Sequence, residues 1–143
     1  MLTKTFLLAG RASFVVENPK GESVTVKLSK SRSKIDTRTG RPWPETFFVS
    51  LRHNNEAWQF VGKLDATSMT IVPTGAPHVR ALWADAESAR HLRIAQWGIS
   101  RVVAEQAVPT GYRLAHTGRC GKCGKMLRDA ESIALGLGPI CRG

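Results

Sequence analysis

Ala12-Ser-Phe-Val-Val-Glu17-Asn18-Pro-Lys-Gly21-Glu22-Ser23-Val-Thr-Val-Lys-Leu28 decides the fold of the first half of the chain. Apolar and polar residues alternate on either side of Asn18-Pro-Lys-Gly21, whose proline and glycine suit a hairpin turn. A second pair of alternating runs, Thr46 to Arg52 and Ala57 to Lys63, flanks His53-Asn54-Asn55-Glu56. Ser68 to Val72 can add a further strand. These runs predict a twisted antiparallel sheet. After Pro73-Thr-Gly-Ala-Pro77 the apolar period becomes helical, with Val79, Leu82, Trp83, Ala86, Ala89 and Leu92 or Arg93 on one stripe. That stripe predicts a helix covering the sheet, with Trp83 as a core anchor and Trp97 closing the packing. Ile99 to Ala107 reads as a second helix stopped by Pro109, and Gly111 to Ala115 as a short strand leading to His116. The class is α+β.

The last stretch has a different character. All three cysteines fall in His116-Thr-Gly-Arg-Cys120-Gly-Lys-Cys123-Gly-Lys-Met-Leu-Arg-Asp129-Ala-Glu-Ser132-Ile-Ala-Leu-Gly136-Leu-Gly-Pro139-Ile-Cys141. Two thiolates spaced C-x-x-C can grip one tetrahedral ion, and a third arriving after a short insert leaves a vacancy that imidazole commonly fills. One structural Zn2+ held by Cys120, Cys123, Cys141 and His116 is therefore expected, with Asp129 as the next candidate for the fourth position. A redox C-x-x-C sits at the start of a helix after a buried strand, which Gly121 and Gly124 do not suit. A glycine-rich tail with free thiols, or a disulfide with one cysteine left over, are the other options. Asp129 with Ser132 can cap a short helix that Gly136 stops. The expected organisation is a sheet-and-helix unit over 1–108 and a zinc-binding knuckle over 109–143.

This segment resembles a small domain of unknown function that recurs in bacteriophage and bacterial proteins, with the signature C-G-x-C-G-[RK]-x-L, then S-[IV], then G-[IL]-G-P-x-C. Cys120, Gly121, Cys123, Gly124, Lys125, Leu127, Ser132, Ile133, Gly136, Leu137, Gly138, Pro139 and Cys141 carry the match, with His116 ahead of them. The resemblance implies zinc and an origin in short phage proteins, and it implies no activity.

Charge gives the second functional clue. Among 143 residues, 21 Lys and Arg face 11 Asp and Glu, for a net charge of +10. Such a balance favours a polyanion, and nucleic acid is the commonest one in a cytosol. The segment Lys27 to Pro44 carries six positive charges and one acid, and Lys30, Arg32, Lys34, Arg38, Arg41 and Trp43 within it form a candidate phosphate-gripping arm. The aromatics Phe47, Phe48, Trp58 and Phe60 offer surfaces on which unpaired bases can stack, although most must be core. Arg119, Lys122, Lys125 and Arg128 extend the basic surface into the zinc module. A solvated loop serving solubility alone is the plain alternative.

These features predict a non-catalytic protein that binds nucleic acid, unpaired or structured rather than sequence-read duplex. The alternative is a phage protein that binds and inhibits or redirects a host complex, a polymerase or a defence system. A zinc deaminase would need His-x-Glu before Pro-Cys-x-x-Cys, and Arg119 precedes Cys120 here. His53-Asn54-Asn55 is explained by turn geometry, and the sequence suggests no carboxylate partner for His78 or His91. Phe6 to Gly10 is too short and too soon followed by Arg11 for a leader or a membrane span, so a cytoplasmic protein, in the host cytosol if phage-encoded, is expected. Three cysteines used as ligands agree with a reducing compartment.

Overall fold

The computed structural model describes residues 2–32 and 34–142. Eleven elements follow one another among them. A short helix α1 (Lys4–Leu7) precedes strands β1 (Arg11–Glu17), β2 (Ser23–Lys30), β3 (Phe47–His53), β4 (Gln59–Asp65) and β5 (Thr70–Val72). Helices α2 (Pro77–Ala84) and α3 (Ala86–Val103) come next, then β6 (Arg113–His116), α4 (Ala130–Leu135) and α5 (Pro139–Arg142). The strands form one antiparallel sheet in the order β5-β4-β3-β2-β1-β6.

Both hairpins fall where the alternation predicts them. Asn18 organises the first turn, its side-chain oxygen accepting from the backbone N–H groups of Lys20 and Glu22. Ala12, Phe14 and Val16 of β1 stand opposite Leu28, Val26 and Val24 of β2, and all six are buried on one face. The register then carries the same face through Val49 and Leu51 of β3. Residues between these, Ser13, Lys27, Ser50, Thr25 and Arg52, take the opposite face because successive strand residues point to opposite sides. One face is thus apolar and the other polar and basic.

Leu92, Ala95, Ile99 and Val102 of α3 join the apolar core together with Phe6 and Leu7 of α1. Gly98 lets α3 come close to the sheet, since a Cβ there would stand 2.6 Å from Val16 Cγ2. Gln96 ties α3 to the edge of the sheet, accepting from Ile71 N (2.7 Å) and donating to Met69 O (3.0 Å). Trp83 is half-buried, and its indole N–H donates to Val61 O at 2.8 Å.

The helical region differs from the sequence expectation at two points. The stripe breaks at Asp85, which ends α2 and caps α3, its backbone extended and its carboxylate accepting from Ser88 N. An N-cap side chain satisfies amide groups that a continuous helix would bond internally, so the chain restarts with α3 there. The expected second helix from Ile99 is not separate, because α3 runs on through Val103. Trp97 remains half-buried and packs on Tyr112, ring centroids 4.7 Å apart.

The described residues of the C-terminal segment, 109–142, are hydrogen-bonded into the rest. β6 pairs with β1, Phe14 opposite His116 and Glu17 opposite Arg113. Arg11 N donates to Gly121 O at 2.6 Å. The ring of Phe6, fully buried, rests against two glycines of the C-terminal segment, where a Cβ would approach it to 2.5 Å at Gly121 and 2.8 Å at Gly136.

Candidate metal centre and basic cleft

A tight turn presents the first two thiols. Cys120 N donates to Lys125 O and Gly124 N to Cys120 O, while Gly124 adopts the positive φ of 79° that such a turn requires. Asp129 then caps α4 by accepting from Ser132 N, and Gly136 stops it with φ 71°. That stop lets Gly138 and Pro139 bring Cys141 back on α5. The three sulfurs lie within 4.8 Å of one another. A tetrahedral Zn2+ with metal–sulfur bonds of about 2.3 Å separates its sulfurs by about 3.8 Å, so little closure is needed.

The electrostatics suit a cation. Burial alone would push the Cys120 thiol up, but backbone N–H groups of Gly138, Cys123 and Lys122 and the Cys123 thiol outweigh it and bring the thiol down to about 6. Lys122 N and Gly138 N each stand 3.4 Å from its sulfur. Cys141 is pushed up to about 11, first through hydrogen bonding to Cys120, then to Cys123. Cys120 is therefore the thiol readiest to meet a divalent ion as a thiolate.

His116 does not join the thiols. Its Nδ1 accepts from Gly118 N at 2.9 Å, and its Nε2 lies against Ile133 O. The β-ladder is the reason. Residues opposite one another on neighbouring strands share a face, so pairing with Phe14 turns His116 toward Phe6, whose ring centroid lies 6.0 Å away. Asp129 lines the cavity of about 390 Å³ beside the thiols, as do Lys125, Arg128 and Met126, but its carboxylate is occupied at the helix cap. Hydrogen bonding to Ser132 holds that carboxyl below its ordinary range.

The basic candidates separate into three places. Lys30, Arg32 and Arg119 line a cleft of about 570 Å³ over the polar face of the sheet. Arg11, Lys27 and Arg52 complete its cationic lining, which has no carboxylate among the described residues. Glu45 sits near its rim, 2.9 Å from Lys30 Nζ. Trp58 forms part of the wall, with Lys27 Nζ 4.7 Å and Arg52 Cζ 4.8 Å from its ring centroid. Lys34, Arg38, Arg41 and Trp43 instead belong to an exposed loop pinched by the Ile35–Pro42 bridge and organised by Asp36. Lys125 and Arg128 face the thiol cavity, while Lys122 is exposed beside the thiols. Arg11 and Arg52 carry no sequence signal for this cleft, because they meet Lys27 from three separate strands only through period-two alternation.

A second group of metal-binding types was also missed. His53, Glu87 and His91 bring one ligand atom each within 4.8 Å of the others, so His91 does have a carboxylate neighbour, one helical turn before it. Burial first, and His53 next, push His91 below its ordinary value.

No helix among the described residues is long and apolar enough to cross a membrane. No curated protein and no solved structure matches the chain. Residues 115–143, the segment that holds the three cysteines, match the model of a family described as "Family of unknown function (DUF6011)".

Proposed function

We propose that this protein binds single-stranded or structured nucleic acid without catalysing a reaction, and that one Zn2+ at Cys120, Cys123 and Cys141 holds the C-terminal segment beside the binding cleft. The observation that carries the proposal is the cleft over the polar sheet face, where six Lys and Arg side chains meet beside Trp58 with no lining carboxylate among the described residues. Repeated cations at backbone spacing attract phosphates whatever the sequence, and Trp58 with the Arg52 guanidinium offers flat surfaces to unpaired bases. The arm at Lys34, Arg38 and Arg41 would extend this track. Arg119 belongs to the C-terminal segment and lines the cleft, so ordering that segment around zinc also orders one wall.

The zinc is read as structural. Three thiolates leave a divalent ion with net negative charge, which opposes the acidification of a bound water. The fourth ligand is then an exchangeable donor on the cavity side, or His116 after release from Ile133.

Labelled single-stranded and duplex oligonucleotides, followed by fluorescence anisotropy over a salt series, test the proposal. Replacing Lys27, Arg52 and Arg119 with Ala is expected to weaken binding across all sequences and to flatten the salt slope by about 0.7 log units per lost contact on a single strand. Arm variants at Lys34, Arg38 and Arg41 should have smaller effects. An unchanged slope in the cleft variant removes the proposal. The alternative, a phage protein docking on a host complex, then gains from the exposed apolar side chains Met126 and Ile140 of the C-terminal segment.

A further inference from the structure

On the other side of the sheet from the basic cleft, the end of β3 meets the first turns of α3. His53 is the last residue of β3, and Glu87 and His91 lie four residues apart on α3, a spacing that puts both on one helix face. The His53 and His91 rings stack, with centroids 4.3 Å apart and planes inclined by 17°. Stacking leaves both rings edge-on to the same space. His91 Nε2 is buried there and finds no hydrogen-bond partner among the described residues. Buried polar atoms are seldom left unpaired, so an orphaned ring nitrogen marks a missing partner. Glu87 reaches the same space, and Glu56 Oε1 stands 4.0 Å from His53 Nδ1. The space is a cavity of about 360 Å³, lined also by Gln59, Asp85 and Ser88.

We infer that His53, Glu87 and His91 form a second metal site, for a divalent transition ion of the zinc class, separate from the three thiols. Two imidazoles and one carboxylate match the borderline ions rather than Ca2+ or Mg2+, which prefer all-oxygen shells. A tetrahedral Zn2+ with bonds near 2.1 Å places its ligand atoms about 3.4 Å apart. The group, within 4.8 Å, closes to that spacing when one imidazole tilts out of the stack so that the two in-plane lone pairs converge, and Glu87, whose side chain is exposed, changes rotamer. The end of β3 and the first turns of α3 keep His53 and His91 side by side. Three protein ligands leave one position directed into the cavity, where Glu56 or a solvent molecule completes the shell.

The site does not depend on the nucleic-acid proposal, and its test leaves that proposal untouched. Imidazole signals of the full chain, followed by two-dimensional proton–nitrogen NMR, are recorded as Zn2+ is added to protein already incubated with one equivalent. The His53 and His91 rings should shift together and saturate with one ion, while the His78 ring stays in place. His91→Gln and Glu87→Gln should each lower the affinity at least tenfold. Because Glu87 is exposed, Glu87→Gln preserves the backbone amide spectrum and separates ligand loss from unfolding. Ring signals that stay unmoved at ten equivalents of Zn2+, or equal affinity in parent and Glu87→Gln, would show a packed imidazole pair and overturn the inference. The ring signals report this site whether or not the thiols hold metal.

Discussion

The sheet and the C-terminal segment are stabilised by different physics. The sheet and α3 bury a continuous apolar core in which Phe14, Val24, Val26, Leu28 and Ile99 are wholly inaccessible. Residues 117–142 bury few side chains, among them Cys120, Leu127 and Ser132, and leave Met126, Ile133, Leu135 and Ile140 exposed. At about 25 cal/mol per Å² of apolar surface, the first region can hold itself together and the second cannot. Docking on Phe6 and the proposed metal ion at the three thiols would supply the difference. A segment that lacks a core can therefore be folded conditionally while its neighbour stays folded throughout.

The largest expected effect sets the two regions apart. Chelation of the proposed Zn2+, or Cys123→Ser, should abolish amide protection across 117–142 while β2, β3 and α3 stay protected, because apparent zinc-ligation energies of about 10 kcal/mol are folding energy in such segments. Hydrogen exchange checks it, and loss of protection throughout the sheet would show that the regions fold as one. Phe6→Ala should cost about 3 to 5 kcal/mol in chemical denaturation. Its effect should reach both regions, since the ring packs against Gly121 and Gly136 while belonging to the sheet core. Denaturation that loosens only one region would place Phe6 outside the shared seam.

The smallest effect is confined to the α2–α3 junction. The Ser88 backbone N–H holds the Asp85 carboxyl below its ordinary 3.8. A depressed folded value means that the unfolded chain takes up the proton first. The cap's contribution is thus whole above about pH 4 and is lost as pH falls through the folded value. Asp85→Asn should flatten that acid limb of thermal stability without altering C-terminal exchange, and an identical limb in the variant would remove the role.

The physical range of each interaction explains how much of the molecule was legible in the sequence. Hairpins were, because alternation and turn residues such as Asn18-Pro-Lys-Gly21 act locally. The α4 cap at Asp129 and its stop at Gly136 were legible for the same reason. The break at Asp85 was hidden by an apolar stripe that crosses it in phase from Leu82 to Ala86. Spacing brought the three thiols together, but it could not give the direction of His116, which is set by its ladder partner Phe14 rather than by distance along the chain. The basic cleft and the His53–His91 pair depend on residues from separate elements, and no local pattern encodes either. The Glu87-x-x-x-His91 spacing was the one signal in sequence that could have pointed to the latter.

The position of β6 also bears on how the molecule is made. β1 lies between β2 and β6, so its outer edge stays bare from the moment it leaves the ribosome until residues 113–116 follow. At about 5 to 20 residues per second, that interval lasts on the order of 5 to 20 s. The glycine socket for Phe6 is completed later still, by Gly136. During that time the nascent chain presents an unpaired strand edge and an incompletely seated aromatic ring, features that recruit holding chaperones and promote pairing between neighbouring chains on a polysome. Translation that stalls before residue 113 would therefore yield aggregation-prone fragments rather than a smaller stable protein.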